Sequence, residues 1–347
     1  MKTFVFDNRS ILPPYFCFFL DALSVHDHIH LITPARLILA INGRVELLQN
    51  SKTISYINPK FITNYVHVEE AFDAQFINYS TGNFSFERAC FLRWFAVNLA
   101  TIDLHESDYI CLVDSDFVMG CAPSFILDAA HQQVAATPLE FIATWSQGNS
   151  GIINPQITIL TKRLLYSFCR YLFCEYFSPS FRSERLGEWF DTIGRGNPGG
   201  LCDMAALGSW LFLVKPNKFN LNDLEGLSTI NNFNQFHDKQ NEANRKWSLE
   251  LTAEKQTLKD SNGQINLVGS HFQGSAKRWI SNHRLTSSAS TCWTEQSPVP
   301  GIHHLSLLSR FTIKLLLLIG DVAPYLYSIF LQKFTPLGDR WLSTTQN

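Results

Sequence analysis

Apolar and polar positions along the chain alternate between the short runs of buried strands and the wider spacing of helices. Thr3 to Phe6 predicts a first strand, Tyr15 to Leu23 an apolar helix and Ile29 to Thr33 a second strand, a βαβ start. Ile54 to Ile57 and Val66 to Val68 read as further short strands, with Asn58-Pro59 breaking the chain between them. Ser85 to Leu99 has helical spacing with Ser85 as its N-cap, Phe125 to Gln133 predicts another helix, and Leu160 to Phe177 a long apolar one with Lys162, Arg163 and Arg170 on it. Gly194 to Gly200 reads as a flexible loop, and Leu201 to Leu207 as a helix start where Asp203 caps the helix or faces a crevice. Trp247 to Thr252 and Ile265 to Val268 suggest a peripheral hairpin in the most polar part of the chain.

The pattern is sharpest at Tyr109 to Gly120, YICLVDSDFVMG. Tyr109-Ile110-Cys111-Leu112-Val113 is a continuous apolar run, as expected of a strand buried on both faces of a mostly parallel sheet. It stops at two carboxylates. Side chains alternate along a strand, so Asp114 and Asp116 are expected to project together at its C-terminal end, where open α/β sheets bind ligands. Two ionised carboxylates in one crevice repel, and oxygen ligands suit Mg²⁺ or Mn²⁺. An isolated Asp-x-Asp is more often a solvated turn or a helix cap; the apolar Phe117-Val118-Met119 behind this one favours a held site.

Composition narrows the classes. The chain has 347 residues, 46% of them hydrophobic, enough for one large α/β domain with a substantial core. A formal net charge of −2 with no block of like charges argues against nucleic acid as a main partner, so an anionic ligand must be met locally. The 8 cysteines form no CxxC pair and several sit in apolar runs, the usage of a reducing compartment. Asp7 and Arg9 interrupt the opening apolar residues before a secretory segment could form, so a cytoplasmic protein is expected. The tail from Leu305 to Gln332 is apolar, yet its longest uncharged stretch, Val322 to Gln332, has 11 residues against the ~20 needed to span a bilayer. It reads as two helices packed on the domain or as an interfacial contact with the inner face of a membrane. The division expected is a domain over 1–300 and a helical tail over 301–347.

Four short blocks then fall in a recognisable order: Asp114 and Asp116 after an apolar strand; Asn149, Ser150 and Gly151 in a Gly-containing loop; Asp203-Met204; and His271, Gly274 and Lys277 as HxxGxxK. With them the chain resembles the GT-A-type glycosyltransferases, and most closely glycosyltransferase family 8. The blocks frame roughly half of the sequence. The resemblance implies a Rossmann-like fold with a mixed, mostly parallel sheet flanked by helices. It also implies a Mn²⁺ or Mg²⁺ ion held by Asp114, Asp116 and His271, and a nucleotide-sugar donor, UDP-sugars first, contacted by Arg93, Gly274 and Lys277. The acceptor would be a saccharide or a lipid-linked glycan precursor, with Asp203 and Asn149 on the catalytic side and retention of anomeric configuration. Two positions depart from the pattern: Met204 stands where the family has Gln, and Arg278 where it has Pro, which marks a divergent relative.

The residues alone leave alternatives open. Arg88 and Arg93 are either solvent-facing or one of them reaches the crevice to fork onto an anion. No general base is identifiable; Asp203 and Glu140 are candidates. Val113 to Val118 also matches the DxDxV core of haloacid-dehalogenase-type phosphatases, with Asp114 as nucleophile and Leu318 to Asp321 as a later acidic loop, although about a third of the chain precedes it. A catalytically silent membrane-surface binding module is the non-enzymatic reading.

Overall fold

The computed structural model of the chain describes residues 1–9, 12, 15–34, 38–39, 45–46, 54–80, 82–134, 138–145, 153–194, 202–225, 227–230, 248–251, 256–260, 263–272 and 291–294. Asn149, Ser150, Gly151, Gly274, Lys277, the loop 195–200 and the tail 301–347 lie outside the described residues.

The chain forms β1 (Lys2–Phe6), α1 (Tyr15–Ser24), β2 (Ile29–Ile32), β3 (Ile38–Leu39), β4 (Val45–Glu46), β5 (Ile54–Ile57), α2 (Tyr65–Asp73) and α3 (Phe84–Ala100). There follow β6 (Tyr109–Val113), β7 (Phe117–Met119), α4 (Pro123–Val134), β8 (Phe141–Trp145), β9 (Ile153–Thr161), α5 (Lys162–Tyr171), α6 (Arg182–Gly194) and α7 (Asp203–Val214). The last elements are β10 (Lys218–Asn220), β11 (Leu227–Ile230), β12 (Ser248–Leu251), β13 (Gln256–Asp260), β14 (Gly263–His271) and β15 (Thr291–Thr294).

The fold is mixed α/β. Its central sheet has 7 strands in the order β10-β8-β9-β6-β1-β2-β5, parallel throughout except for β9, which runs antiparallel to both β6 and β8. Alternation along the central strands divides the core into two layers. Val5, Cys111 and Val113 face Phe16, Phe19 and Ile126 of α1 and α4, whereas Phe4, Ile110 and Leu112 face Phe95, Leu165 and Trp210 of α3, α5 and α7. The run Tyr109 to Val113 is thus apolar because helices cover both of its faces.

A second, 6-stranded sheet holds β11, β14, β13, β12 and β15, and β7 pairs with β14. The two strands expected to form a peripheral hairpin do not pair with each other: β13 lies between β12 and β14, and their sheet reaches the end of β6. Gly269 makes this possible: a Cβ there would meet the Phe117 ring at 2.5 Å and the Val118 carbonyl at 2.6 Å. Gln256, buried beneath, donates to Val118 O at 2.8 Å and accepts from Ser270 Oγ at 2.7 Å, so the two strands are cross-braced by a satisfied polar pair.

Several local expectations change. Val66 to Val68 belongs to α2, where Tyr65 and Phe72, two helical turns apart, are the buried positions; two valines flanking a histidine were too few to set a period. The N-cap of α3 is Asn83, whose side chain accepts from the amides of Ser85 and Phe86. Leu160 and Thr161 stay in β9, and Thr161 caps α5, so the long helix expected from Leu160 begins at Lys162 and passes after Tyr171 into one π turn over Leu172–Tyr176. Cys111, Cys169 and Cys202 are buried free thiols, whereas Cys174 is exposed. Among the described residues, no helix is long and apolar enough to cross a membrane.

The glycines supply a paired test. Gly269→Ala pushes a methyl into backbone and ring and should cost about 1–3 kcal/mol in urea unfolding. Gly187→Ala, in α6 with nothing within 4 Å of the added carbon, should be neutral or stabilise by up to ~1 kcal/mol.

Candidate functional site

The C-terminal edge of β6 turns sharply. Asp114 lies beyond the last residue of the strand; its amide donates to Gln156 O at 2.9 Å, and its carbonyl accepts from Phe117 N at 3.0 Å, closing a turn. Asp114 and Asp116 converge through that turn and not, as expected, by alternation along one strand, because β6 ends at Val113 and β7 belongs to the second sheet. Asp116 is pinned from the other side: its carbonyl accepts from Phe272 N at 2.8 Å. The pairing of His271 with Phe117 then delivers the imidazole, whose Nε2 lies 3.2 Å from Asp116 Oδ1.

One ligand atom from each of Asp114, Asp116 and His271 lies within 4.8 Å of the other two. Two carboxylate oxygens and a neutral imidazole nitrogen make a donor set that fits Mn²⁺ or Mg²⁺, so these residues suit the ion that the sequence resemblance implies. Burial holds the Asp114 carboxyl above its ordinary range; Arg93 pulls it down and the neighbouring Asp116 pushes it up again. A dication would reverse that balance and favour the ionised form.

Arg93, on α3, is the arginine that reaches the crevice. Its guanidinium donates through Nη1 to Asp114 and through Nη2 to Asp203, and stacks 5.3 Å from the centre of the Trp94 ring. Burial alone would lower its pKa, but the carboxylates of Asp114 and Asp203 outweigh that and hold it raised. Asp203 is the first residue of α7 and not its cap; the cap position is Cys202. Arg88 faces away and pairs with Glu69 and Asp73 on α2. Glu140, the other candidate base, pairs with Arg163 and does not line the cleft.

These groups open onto a cleft of about 750 Å³ at the C-terminal edge of the sheet. Its other wall brings residues that the sequence did not single out chemically. Asp7 and Arg9 leave β1 as an ion pair; Arg9 donates to Tyr15 Oη at 3.0 Å and touches Ser115 Oγ, between the two aspartates, at 3.4 Å. Asp-Asn-Arg directly after the apolar β1 repeats the signal of β6, an apolar run ending in charge, and could have been read the same way. Glu87, in the first turn of α3, also lines the cleft; a lone acid there reads by default as a partner of the helix dipole. Cys202 lines it too, and burial pushes its thiol up to about 12, so it is protonated and not a nucleophile at neutral pH.

Fold and site together define a mixed α/β protein in which two carboxylates and an imidazole converge at a sheet edge. No family profile and no curated protein sequence matches the chain. Among solved structures it is similar to mouse xyloside xylosyltransferase 1 in its apo form, with 9% identity and a TM-score of 0.42 over 66% of this chain and 87% of that one. It is also similar to the galactosyltransferase LgtC in complex with donor and acceptor sugar analogues, with 11% identity and a TM-score of 0.38 over 80% and 89% of the two chains. The PaToxG glycosyltransferase follows at 8% identity and 0.34, over 62% and 68%.

Removing the guanidinium should expose the strain in this cluster. Arg93→Met leaves Asp114 and Asp203 buried without their cation, and urea unfolding at neutral pH should show a loss of about 3–5 kcal/mol. The sign with pH follows: unpaired buried carboxylates bind protons more tightly folded than unfolded, so the deficit should shrink as pH falls through the carboxylate range.

Proposed function

We propose that the protein is a metal-dependent glycosyltransferase of the GT-A type that moves a sugar from a nucleotide-diphosphate sugar, a UDP-sugar first among donors, to a saccharide or lipid-linked glycan acceptor. The observation that carries this reading is the convergence of Asp114, Asp116 and His271 within 4.8 Å on a cleft that also holds the Arg93–Asp203 pair. A cation held by those three side chains supplies Lewis-acid neutralisation of the leaving diphosphate. In transfer, the bond from the sugar C1 to the phosphate oxygen breaks and a bond from C1 to an acceptor oxygen forms.

The chain's own groups serve that exchange in distinct ways. Arg93 fixes the Asp114 carboxylate and presents positive charge beside the donor sugar. By the same resemblance Gly274 would let backbone approach the phosphates, Lys277 would bring a compact charge to them and Asn149 would act on the sugar. Asp203, held by Arg93 and 3.4 Å from Trp94 Nε1, lines the cleft. Retention of configuration belongs to the same reading; Glu140, the other candidate base, is tied to Arg163. The same reading keeps the protein in the cytoplasm as a 1–300 domain, with the apolar stretch 305–332 touching the inner membrane face; sedimentation with anionic vesicles, with and without 301–347, decides between that contact and packing on the domain.

Sugar transfer measured across UDP-, GDP- and CDP-sugars with mixed saccharide acceptors tests the activity. Turnover should require Mn²⁺ or Mg²⁺, stop with a chelator, and fall by at least ~100-fold in Asp116→Ala. Metal-independent turnover, or full activity in that variant, would sink the proposal.

A further inference from the structure

Beside the cation pocket, the first turn of α3 brings to the cleft an aromatic face and a carboxyl that neither the metal nor the diphosphate uses. Phe86 lines the cleft and is 62% exposed, a large ring turned to water at its mouth. Its neighbour Phe84 is anchored instead, packed edge-on against Phe76 at 5.2 Å. Glu87 follows on the wall, 7% exposed. Its place is prepared: Ser80 Oγ donates to Oε1 at 2.8 Å, and Gly82 leaves room for the carboxyl, since a Cβ at that position would lie 2.2 Å from Oε1. Burial raises the Glu87 pKa, against the hydrogen bond from Ser80, and Asp203 adds to the rise.

An exposed aromatic ring next to a buried carboxyl has the chemistry of a pyranose site. One face of the sugar ring carries C–H groups that pack on an aromatic face, while its hydroxyls donate to a carboxylate in bonds about twice as strong as neutral ones. Met204, on the same cleft, offers only a weakly accepting thioether, whereas Glu87 offers a charged acceptor. Glu87 neighbours Asp203 and Arg93, whereas Asp116 pairs with His271, so the carboxyl stands beside the arginine cluster and outside the three-donor set.

We propose that Phe86 and Glu87 form the acceptor subsite, in which a pyranose stacks on the Phe86 ring and donates hydroxyl protons to the Glu87 carboxylate. The assignment rests on the glycosyltransferase reading for its role as an acceptor, but the binding it asserts is measurable without turnover.

The test is saturation-transfer NMR of the full-length protein with a panel of methyl pyranosides and lactose, with no nucleotide present. At least one saccharide should take up saturation on one ring face. Affinity should fall about tenfold in Phe86→Ala, recover in Phe86→Trp, and fall about tenfold in Glu87→Gln, which keeps an acceptor for Ser80 but loses the charge. Phe61→Ala, 87% exposed and outside the cleft, should change nothing, and thermal melts report whether each variant folds. Where transfer is measurable, the same variants should raise KM for the acceptor and leave KM for the donor alone. No saccharide binding to the wild type, or binding unchanged in Phe86→Ala, would overturn the subsite. Saccharide binding through Phe86 in a protein that turns over no nucleotide sugar would uphold it and instead count against the transferase reading.

Discussion

A single buried guanidinium ties the site together. Arg93 comes from α3, Asp114 from the turn after β6 and Asp203 from the start of α7, and the two carboxylates share the fork of the arginine. Taking three charges out of water is costly, and the arrangement holds only because each acid is met by a matched donor. The cluster therefore fixes where α7 begins relative to the strand edge, and it ties Asp203 to Arg93 while Asp116 and His271 converge with Asp114. Loss of that guanidinium would disturb the core and the chemistry together.

The pocket's second dependence is on backbone. His271 arrives because β14 pairs with β7, and β14 can lie against Phe117 and Val118 only with glycine at 269. Asp114 and Asp116 alone would be two repelling carboxylates in a tight turn; the imidazole, 155 residues further along, makes them a three-donor set.

Much of this was legible in the sequence because it is local. The apolar run into Asp114 named a central strand, and the alternation of short runs and helical spacing named the α/β class. His271 was legible only through its block, since its own neighbourhood is an ordinary strand. What local pattern does not carry is pairing across the chain. Nothing at Asp203 says that Arg93, 110 residues earlier, will hold it, and nothing at Trp247 to Val268 says that these strands take β13 between them and join a sheet reaching the end of β6. Val66 to Val68 misled because three residues fit either period, and the start of α5 because a strand and a helix share one unbroken apolar stretch with only Thr161 to mark the join. Glu87 and Phe86 passed unnoticed because an acid and an aromatic in a first helical turn have ordinary reasons to be there.

The central claim is that Asp114, Asp116 and His271 make one cation-dependent site for a nucleoside diphosphate. Thermal denaturation of the wild type and of His271→Ala, with UDP alone, Mn²⁺ alone and both together, measures it directly. A ligand bound only by the folded state stabilises by mass action, roughly 2.7 kcal/mol at a hundredfold excess over Kd. The account predicts that UDP and Mn²⁺ together raise the wild-type Tm by more than the sum of their separate effects, and that His271→Ala loses this excess. An equal shift with UDP in the absence of metal, or an excess that survives in His271→Ala, would contradict it.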